Sequence, residues 1–189
     1  MNRREAVSAV AVLLGGTIVG SNLFLSGCKQ ADKKTGLTEF SKDDIALLDE
    51  IAETIIPTTN TPGAKAAKVG EFMTVMVKDC YEEKDQKIFV EGMSALNAAA
   101  EKQFNKDFMG LDPKQRKELL VALDKEQKEY MSKKKEEDPK HYFRMMKELT
   151  LLGYFTSEVG AQQALRYVPV PGKYEGCIPY KKGDRAWAT

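Results

Sequence analysis

The sequence is poor in the side chains that most often carry catalysis. It has one histidine, His141, in 189 residues. A multi-histidine metal site is therefore excluded by count, and no histidine-based triad is indicated. The sequence also lacks the Cys-x-x-Cys-His motif of c-type haem, the Gly-x-Gly-x-x-Gly motif and a phosphate loop. We expect no cofactor in this chain and no catalysis by it, and we interpret His141 as a surface or packing residue.

An excess of charge of one sign is also missing. The chain has 29 Lys and Arg against 28 Asp and Glu, which leaves a formal charge of +1. This balance gives no reason to expect binding to nucleic acid or to an acidic substrate. Glycine and proline number only 14 and 7, so most of the chain is expected to fold.

The N-terminus has the pattern of a secreted lipoprotein. Arg3 and Arg4 precede a stretch from 6 to 25 without a charged residue, as in a secretory signal. Residues 25–28 (LSGC) match a bacterial lipobox, in which the thiol of Cys28 receives the lipid. We predict a lipoprotein signal peptide over 1–27 and a lipid anchor on Cys28. The alternative is an uncleaved transmembrane anchor, which the glycines within the stretch disfavour.

The paired arginines allow two interpretations. Residues 2–7 (NRREAV) fit a degenerate twin-arginine export signal, in which Arg3 and Arg4 are the paired residues. Ala6 stands where such signals usually carry a bulky apolar residue. The other interpretation is an ordinary basic start to a secretory leader.

Two cysteines remain once Cys28 is assigned to the lipid, Cys80 and Cys177. An even pair in an oxidising compartment predicts a disulfide, here one that ties the C-terminal segment to an early helix. The alternative is two free, buried thiols.

Apolar periodicity predicts an all-α domain of about five helices over 41–189, preceded by a flexible tether over 28–40. Ser41 and Asp112 are expected N-caps, and Asp138-Pro139 repeats the Asp-Pro start signal of the latter. A stripe of apolar residues marks the second helix and places Cys80 on its buried face: Val69, Phe72, Met73, Met76, Val77 and Cys80. The last helix is expected to reach about residue 165, with Leu152 and Phe155 in its apolar pattern.

The segment after Arg166 is too rich in proline and glycine for a helix. We predict an extended, non-regular C-terminal arm that contains Trp187 and several tyrosines. Free in solution, such an arm would expose large aromatic groups, so we expect it to lie on its own domain, on a partner, or on both.

Several segments resemble the small subunit of gluconate 2-dehydrogenase (subunit 3). They are residues 51–58 (IAETIIPT), 62–64 (PGA), 79–81 (DCY), 149–158 (LTLLGYFTSE), 167–172 (YVPVPG), 176–177 (GC) and 186–188 (AWA). Their order and spacing carry the resemblance, which runs from about residue 44 to the C-terminus.

The resemblance implies a non-catalytic accessory subunit in a membrane-bound dehydrogenase complex. In that family the large partner is an FAD-dependent flavoprotein of the glucose-methanol-choline type, and a cytochrome c subunit often accepts the electrons. The small subunit typically carries the export signal, frequently a twin-arginine one. This chain would then face the periplasm in the bacterial cell envelope, held there by the lipid on Cys28, with FAD in the partner alone.

We expect the arm and the end of the last helix to contact that partner. The candidate contact residues are Tyr154, Phe155, Tyr167, Pro169, Pro171, Tyr174 and Trp187. The alternative function is a free-standing envelope lipoprotein that binds a glycan or another protein through the aromatic residues of its arm.

Overall fold

The computed structural model describes residues 39–170, 172–173 and 176–188. The predictions for the leader, for Arg3, Arg4 and Cys28, and for the tether up to residue 38 lie outside this part of the chain. All the described residues belong to one compact unit. None of the helices described is long and apolar enough to cross a membrane.

The described part of the chain is helical and contains no β-strand. Five α-helices are followed by a short π-helix: α1 (Lys42–Ile55), α2 (Val69–Cys80), α3 (Glu83–Phe104), α4 (Pro113–Lys133), α5 (Tyr142–Thr156) and the π-helix Gly160–Ala164. Beyond Leu165 the described backbone is non-regular apart from one isolated bridge. The prediction of an all-α fold with about five helices and a non-regular arm is confirmed.

Two of the expected helix starts are confirmed, because their signals are local. The hydroxyl of Ser41 accepts a hydrogen bond from the backbone N–H of Asp44 at 3.2 Å, and the Asp44 carboxylate accepts one from the N–H of Ser41 at 2.8 Å. Asp112 forms the same kind of capping box with Gln115, and Pro113 is the first residue of α4.

The expected start at Asp138-Pro139 is wrong. The α5 helix begins at Tyr142, and His141 is its N-cap, with Nδ1 accepting a hydrogen bond from the N–H of Phe143 at 3.2 Å. The His141 ring stacks on Tyr142 at 4.6 Å, which confirms its interpretation as a packing residue. Asp138 instead accepts a hydrogen bond from the N–H of Lys135 in the turn after α4.

The last helix also ends earlier than expected. It stops at Thr156, and the Ser157 hydroxyl donates to the carbonyl of Tyr154 at 2.6 Å and accepts from the N–H of Gly160 at 3.0 Å. A Cβ on Gly160 would collide with the Tyr154 carbonyl, so this position requires a glycine. The tight connection separates α5 from the π-helix and sets where the arm begins.

The core is centred on α5, which contacts each of the other four α-helices. It is built from large apolar side chains contributed by all five: Leu48, Ile51, Met73, Phe89, Leu96, Leu119, Phe143, Met146 and Leu149. The expected stripe of α2 is confirmed at Val69, Met73 and Val77, which are buried. It is wrong at Cys80, which ends the helix and is exposed.

The loop between α1 and α2 is held by one carboxylate. Glu53 accepts hydrogen bonds from the N–H and hydroxyl of Thr58 at 2.8 Å and from the N–H of Lys65 at 2.9 Å. A Cβ on Gly63 would collide with the same carboxylate. The proline-containing loop is thereby fixed against the end of α1.

Candidate partner-binding surface

The base of the C-terminal arm is closed by a contact between Arg166 and Trp187. The N–H of Arg166 donates to the carbonyl of Ala186 at 2.7 Å, and the N–H of Ala188 donates to the carbonyl of Arg166 at 3.0 Å. These bonds form an isolated parallel bridge. The Arg166 guanidinium also lies over the Trp187 ring, 4.7 Å from its centroid, in a cation–π contact. The arm is therefore closed at its base, and we call its described residues (166–170, 172–173 and 176–188) the clasped loop.

Two further contacts fix the end of the clasped loop. The Arg185 guanidinium donates to the carbonyl of Gln163 in the π-helix at 2.7 Å. Asp184 accepts from the N–H of Lys181 at 2.9 Å in a tight turn, in which Gly183 has a φ of 100° that glycine adopts readily. The base of the loop is thus attached to the helical domain through the bond between Arg185 and Gln163.

The clasped loop exposes apolar side chains to solvent. Val170 is 81% exposed and Tyr180 is 78% exposed. Four more of its large apolar residues are exposed to a lesser degree: Tyr167, Val168, Ile178 and Trp187. Exposed apolar groups held close together in sequence on a fixed segment are typical of interaction surfaces.

A second exposed apolar strip lies on α5. Leu151, Leu152 and Phe155 are exposed, while Phe143, Met146, Gly153 and Tyr154 of the same helix are buried. At 100° per residue the two sets face opposite sides of α5. The prediction that Leu152 and Phe155 belong to the apolar pattern of this helix is therefore wrong, because the two side chains lie opposite its buried face.

Four of the seven predicted contact residues are exposed: Phe155, Tyr167, Pro169 and Trp187. Tyr154 is only 2% exposed, and its hydroxyl donates to the carbonyl of Pro62 at 2.6 Å. It belongs to the core, so its assignment to the partner surface is wrong. Pro171 and Tyr174 lie outside the described residues. Leu151 was not among the predicted contact residues, although it lies four positions before Phe155, one helical turn away. The pairing of Arg166 with Trp187 has no local signal in the sequence.

The predicted disulfide is not formed in the structure. Cys80 and Cys177 are both free, and both are exposed. The prediction assumed that the apolar stripe of α2 would bury Cys80 against a packed partner. The helix instead ends at this residue, so the last position of the stripe extends past the core, and the Cys80 thiol donates to the nearby Met76 sulfur at 3.9 Å.

A shallow groove of about 260 Å³ lies between α1, α4 and α5, with Ile55, Leu120 and Phe143 among its apolar lining. At its rim Asp124 pairs with Lys128 at 2.7 Å and with Lys147 at 2.5 Å. The hydrogen bond from Lys128 and, to a smaller extent, that from Lys147 lower the pKa of Asp124 to about 2. This ion cluster links α4 to α5.

The Asp124 cluster makes the stability of the domain depend on pH. A carboxylate whose pKa is lowered by folding stabilises the protein above its unfolded pKa, and this contribution is lost as the pH falls from about 4 to about 2. Because the cluster is partly exposed to solvent, we expect Asp124→Asn to lower the free energy of unfolding by about 1 kcal/mol at pH 6. In urea denaturation, the difference in the free energy of unfolding between Asp124→Asn and wild type should become smaller as the pH is lowered from 6 to 3. Glu129→Gln, an exposed change on the same helix, is the control, and a difference that stays constant with pH would contradict the assignment.

No group of three or more His, Cys, Asp or Glu side chains in the described part of the chain is arranged to hold a metal ion. The described residues form a helical domain with an exposed apolar strip on α5 and a clasped loop. Both the strip and the loop offer apolar surface on which another protein could pack.

Comparison with known proteins identifies the relationship. No curated protein and no solved structure matches the chain. The sequence model of the family described as gluconate 2-dehydrogenase subunit 3 matches residues 42–172, well over half of the chain. The match includes all five α-helices and ends within the clasped loop, so the resemblance noted at 176–177 and 186–188 lies outside the matched range. The chain belongs to the gluconate 2-dehydrogenase subunit 3 family, the family of an accessory subunit of a dehydrogenase complex.

Proposed function

We propose that this chain is the non-catalytic accessory subunit of a periplasmic, FAD-dependent sugar or polyol dehydrogenase of the glucose-methanol-choline type. It helps to export and stabilise that flavoprotein and tethers it to the membrane. The observation that carries the proposal is the family match over residues 42–172. FAD and the reacting substrate belong to the partner, and a cytochrome c that accepts the electrons is a further expected subunit.

The sequence and the structure support this proposal in different ways. The leader with Arg3 and Arg4, and the lipobox ending at Cys28, supply an export route and an anchor. The exposed apolar residues of α5 and of the clasped loop supply surface for a second protein. An accessory subunit needs no more than these: a signal, a tether and a docking surface.

Co-purification from the native host tests the association. An affinity tag at the C-terminus of the full chain should recover, from detergent-solubilised membranes, a flavin-containing oxidoreductase in a fixed ratio to the chain. The complex should oxidise a sugar or polyol with a dye acceptor. Recovery of the chain alone, together with normal export of the flavoprotein in a deletion strain, would refute the proposal.

The tether is tested separately. Replacing residues 1–28 with a cleavable leader that carries no lipobox should release the complex into the soluble periplasmic fraction with an unchanged ratio of flavin to chain. The matched control is the same replacement with residues 25–28 (LSGC) restored at the cleavage site. If the complex remains on the membrane without the lipobox, the lipid on Cys28 is not what tethers it.

A further inference from the structure

We infer that the clasped loop is the element that docks on the catalytic subunit, and that the Arg166–Trp187 contact holds it in the shape that binds. This inference rests on the proposed function, because it assumes that the partner is the flavoprotein. Family membership implies that some surface of this chain is covered by another subunit. The structure indicates which surface.

The most exposed large apolar side chains lie in the clasped loop. Val170 and Tyr180 are the most exposed of the large apolar residues in the described chain, and both lie in the clasped loop. The exposed large apolar residues of the helical domain reach at most 55%, whereas these two lie almost entirely in water. A subunit that covers them gains the burial of a valine and a tyrosine on a segment whose base is already fixed.

The base of the clasped loop is preorganised for binding. A free arm of this length would lose conformational entropy on binding, which weakens association. The two backbone bonds of the bridge, the cation–π contact, and the bond from Arg185 to Gln163 restrain the loop before any partner arrives. Arg166 and Trp187 are therefore positioning residues, which act on binding through the shape of the loop.

The charge of the clasped loop indicates the chemistry of the partner surface. Residues 166–189 contain five Lys and Arg and two Asp and Glu, a net charge of +3, whereas residues 28–165 have a net charge of −3. Lys181 and Lys182 follow Tyr180 directly. We therefore expect the matching surface of the catalytic subunit to be acidic around an apolar pocket.

The experiment measures the flavin recovered per mole of tagged full chain, from the native host, for a set of variants. Val170→Ser combined with Tyr180→Ser should lower this ratio at least tenfold. Val75→Ser combined with Val90→Ser, exposed on α2 and α3, is the matched control and should leave it unchanged. Circular-dichroism melts of the purified variants should agree with wild type, which separates a lost interface from a lost fold.

Charge and positioning are tested in the same assay. Lys181→Glu combined with Lys182→Glu should lower the ratio at least tenfold. The control is Lys102→Glu combined with Lys106→Glu, which makes the same charge change at exposed positions in the last turn of α3 and just after it, and it should leave the ratio unchanged. Trp187→Ala should lower the ratio, whereas Trp187→Phe, which keeps an aromatic face for Arg166, should restore most of it.

Each failure has a different meaning. If the wild-type chain recovers no flavoprotein, the proposed function fails. If it does recover the flavoprotein and the loop variants recover as much, the inference about the loop is overturned while the proposed function stands. Loss of flavin in Leu151→Ser with Leu152→Ser, with the loop variants unaffected, would likewise overturn it and assign the interface to the α5 strip.

Discussion

Replacing Arg116 with methionine should lower the free energy of unfolding by about 3 kcal/mol, one of the largest effects we expect from a single side chain. The Arg116 side chain is 14% exposed and pairs with Glu50 of α1, whose side chain is 19% exposed. The guanidinium also donates to the carbonyl of Phe108 at 3.2 Å and to that of Met109 at 2.7 Å. One side chain thus joins the start of α4 and the loop before it to α1.

The cost arises because the partners of Arg116 stay behind. In Arg116→Met, the Glu50 carboxylate keeps its pair with Lys65 at 3.0 Å, and the Met109 carbonyl loses its donor. The Phe108 carbonyl keeps only the weaker hydrogen bond from the N–H of Leu111 at 3.3 Å. Polar groups left unsatisfied away from water are costly. For a domain of this size we expect the melting temperature to fall by about 6–12 °C.

The matched control is Arg144→Met. Arg144 pairs with Glu148 at 2.6 Å, but both side chains are more than a third exposed, so the loss should be below about 1 kcal/mol. Urea denaturation of Arg116→Met, of Glu50→Gln and of the double variant would separate the energy of the Arg116–Glu50 pair from that of the other hydrogen bonds of Arg116. Equal losses in Arg116→Met and Arg144→Met would show that the buried position of the first pair does not matter.

The helix starts at Ser41 and Asp112 could be predicted from sequence because each cap is formed by residues at most three positions apart. The start of α5 could not. Asp138-Pro139 carries the same local signal, but the His141 ring stacks on Tyr142 at 4.6 Å and makes a tilted contact with Tyr130 of α4 at 5.7 Å, both measured between centroids. A contact with the preceding helix outweighs the local signal, and a sequence pattern does not show which helix will be there.

The candidate surface shows the same division. The sequence indicated that the end of α5 and the arm hold the exposed aromatic groups, and for Phe155 and Tyr167 the structure confirms the exposure. It could not separate Tyr154 from Phe155, because Tyr154 turns inward to reach Pro62, which lies 92 positions earlier in the chain. The clasp between Arg166 and Trp187 joins residues across a non-regular segment that has no period to follow. Long-range contacts of this kind cannot be predicted from a local sequence pattern and become visible only in the folded structure.

Gly92→Ala should destabilise the domain, although an alanine in the middle of a helix normally stabilises it by about 1 kcal/mol relative to glycine. Gly92 is buried in α3, where that helix meets the first residue of α5. A Cβ at position 92 would lie 2.5 Å from Cγ of Tyr142 and closer still to its Cβ. Neither Cβ can move without its backbone, so the two helices must separate.

We expect a net loss of about 2 kcal/mol for Gly92→Ala in urea denaturation, since overpacking outweighs the gain in helix propensity. Ser94→Ala, an exposed change on the same helix, should stay within about 0.5 kcal/mol of wild type. Gly153→Ala on α5 gives the sharper comparison: its Cβ would meet Cδ1 of Phe72 at 2.5 Å, the edge of a ring that can rotate away. It should therefore cost less than Gly92→Ala. An equal or larger loss would mean that the ring of Phe72 is held as firmly as the backbone, and that the contact between α2 and α5 is the more rigid of the two.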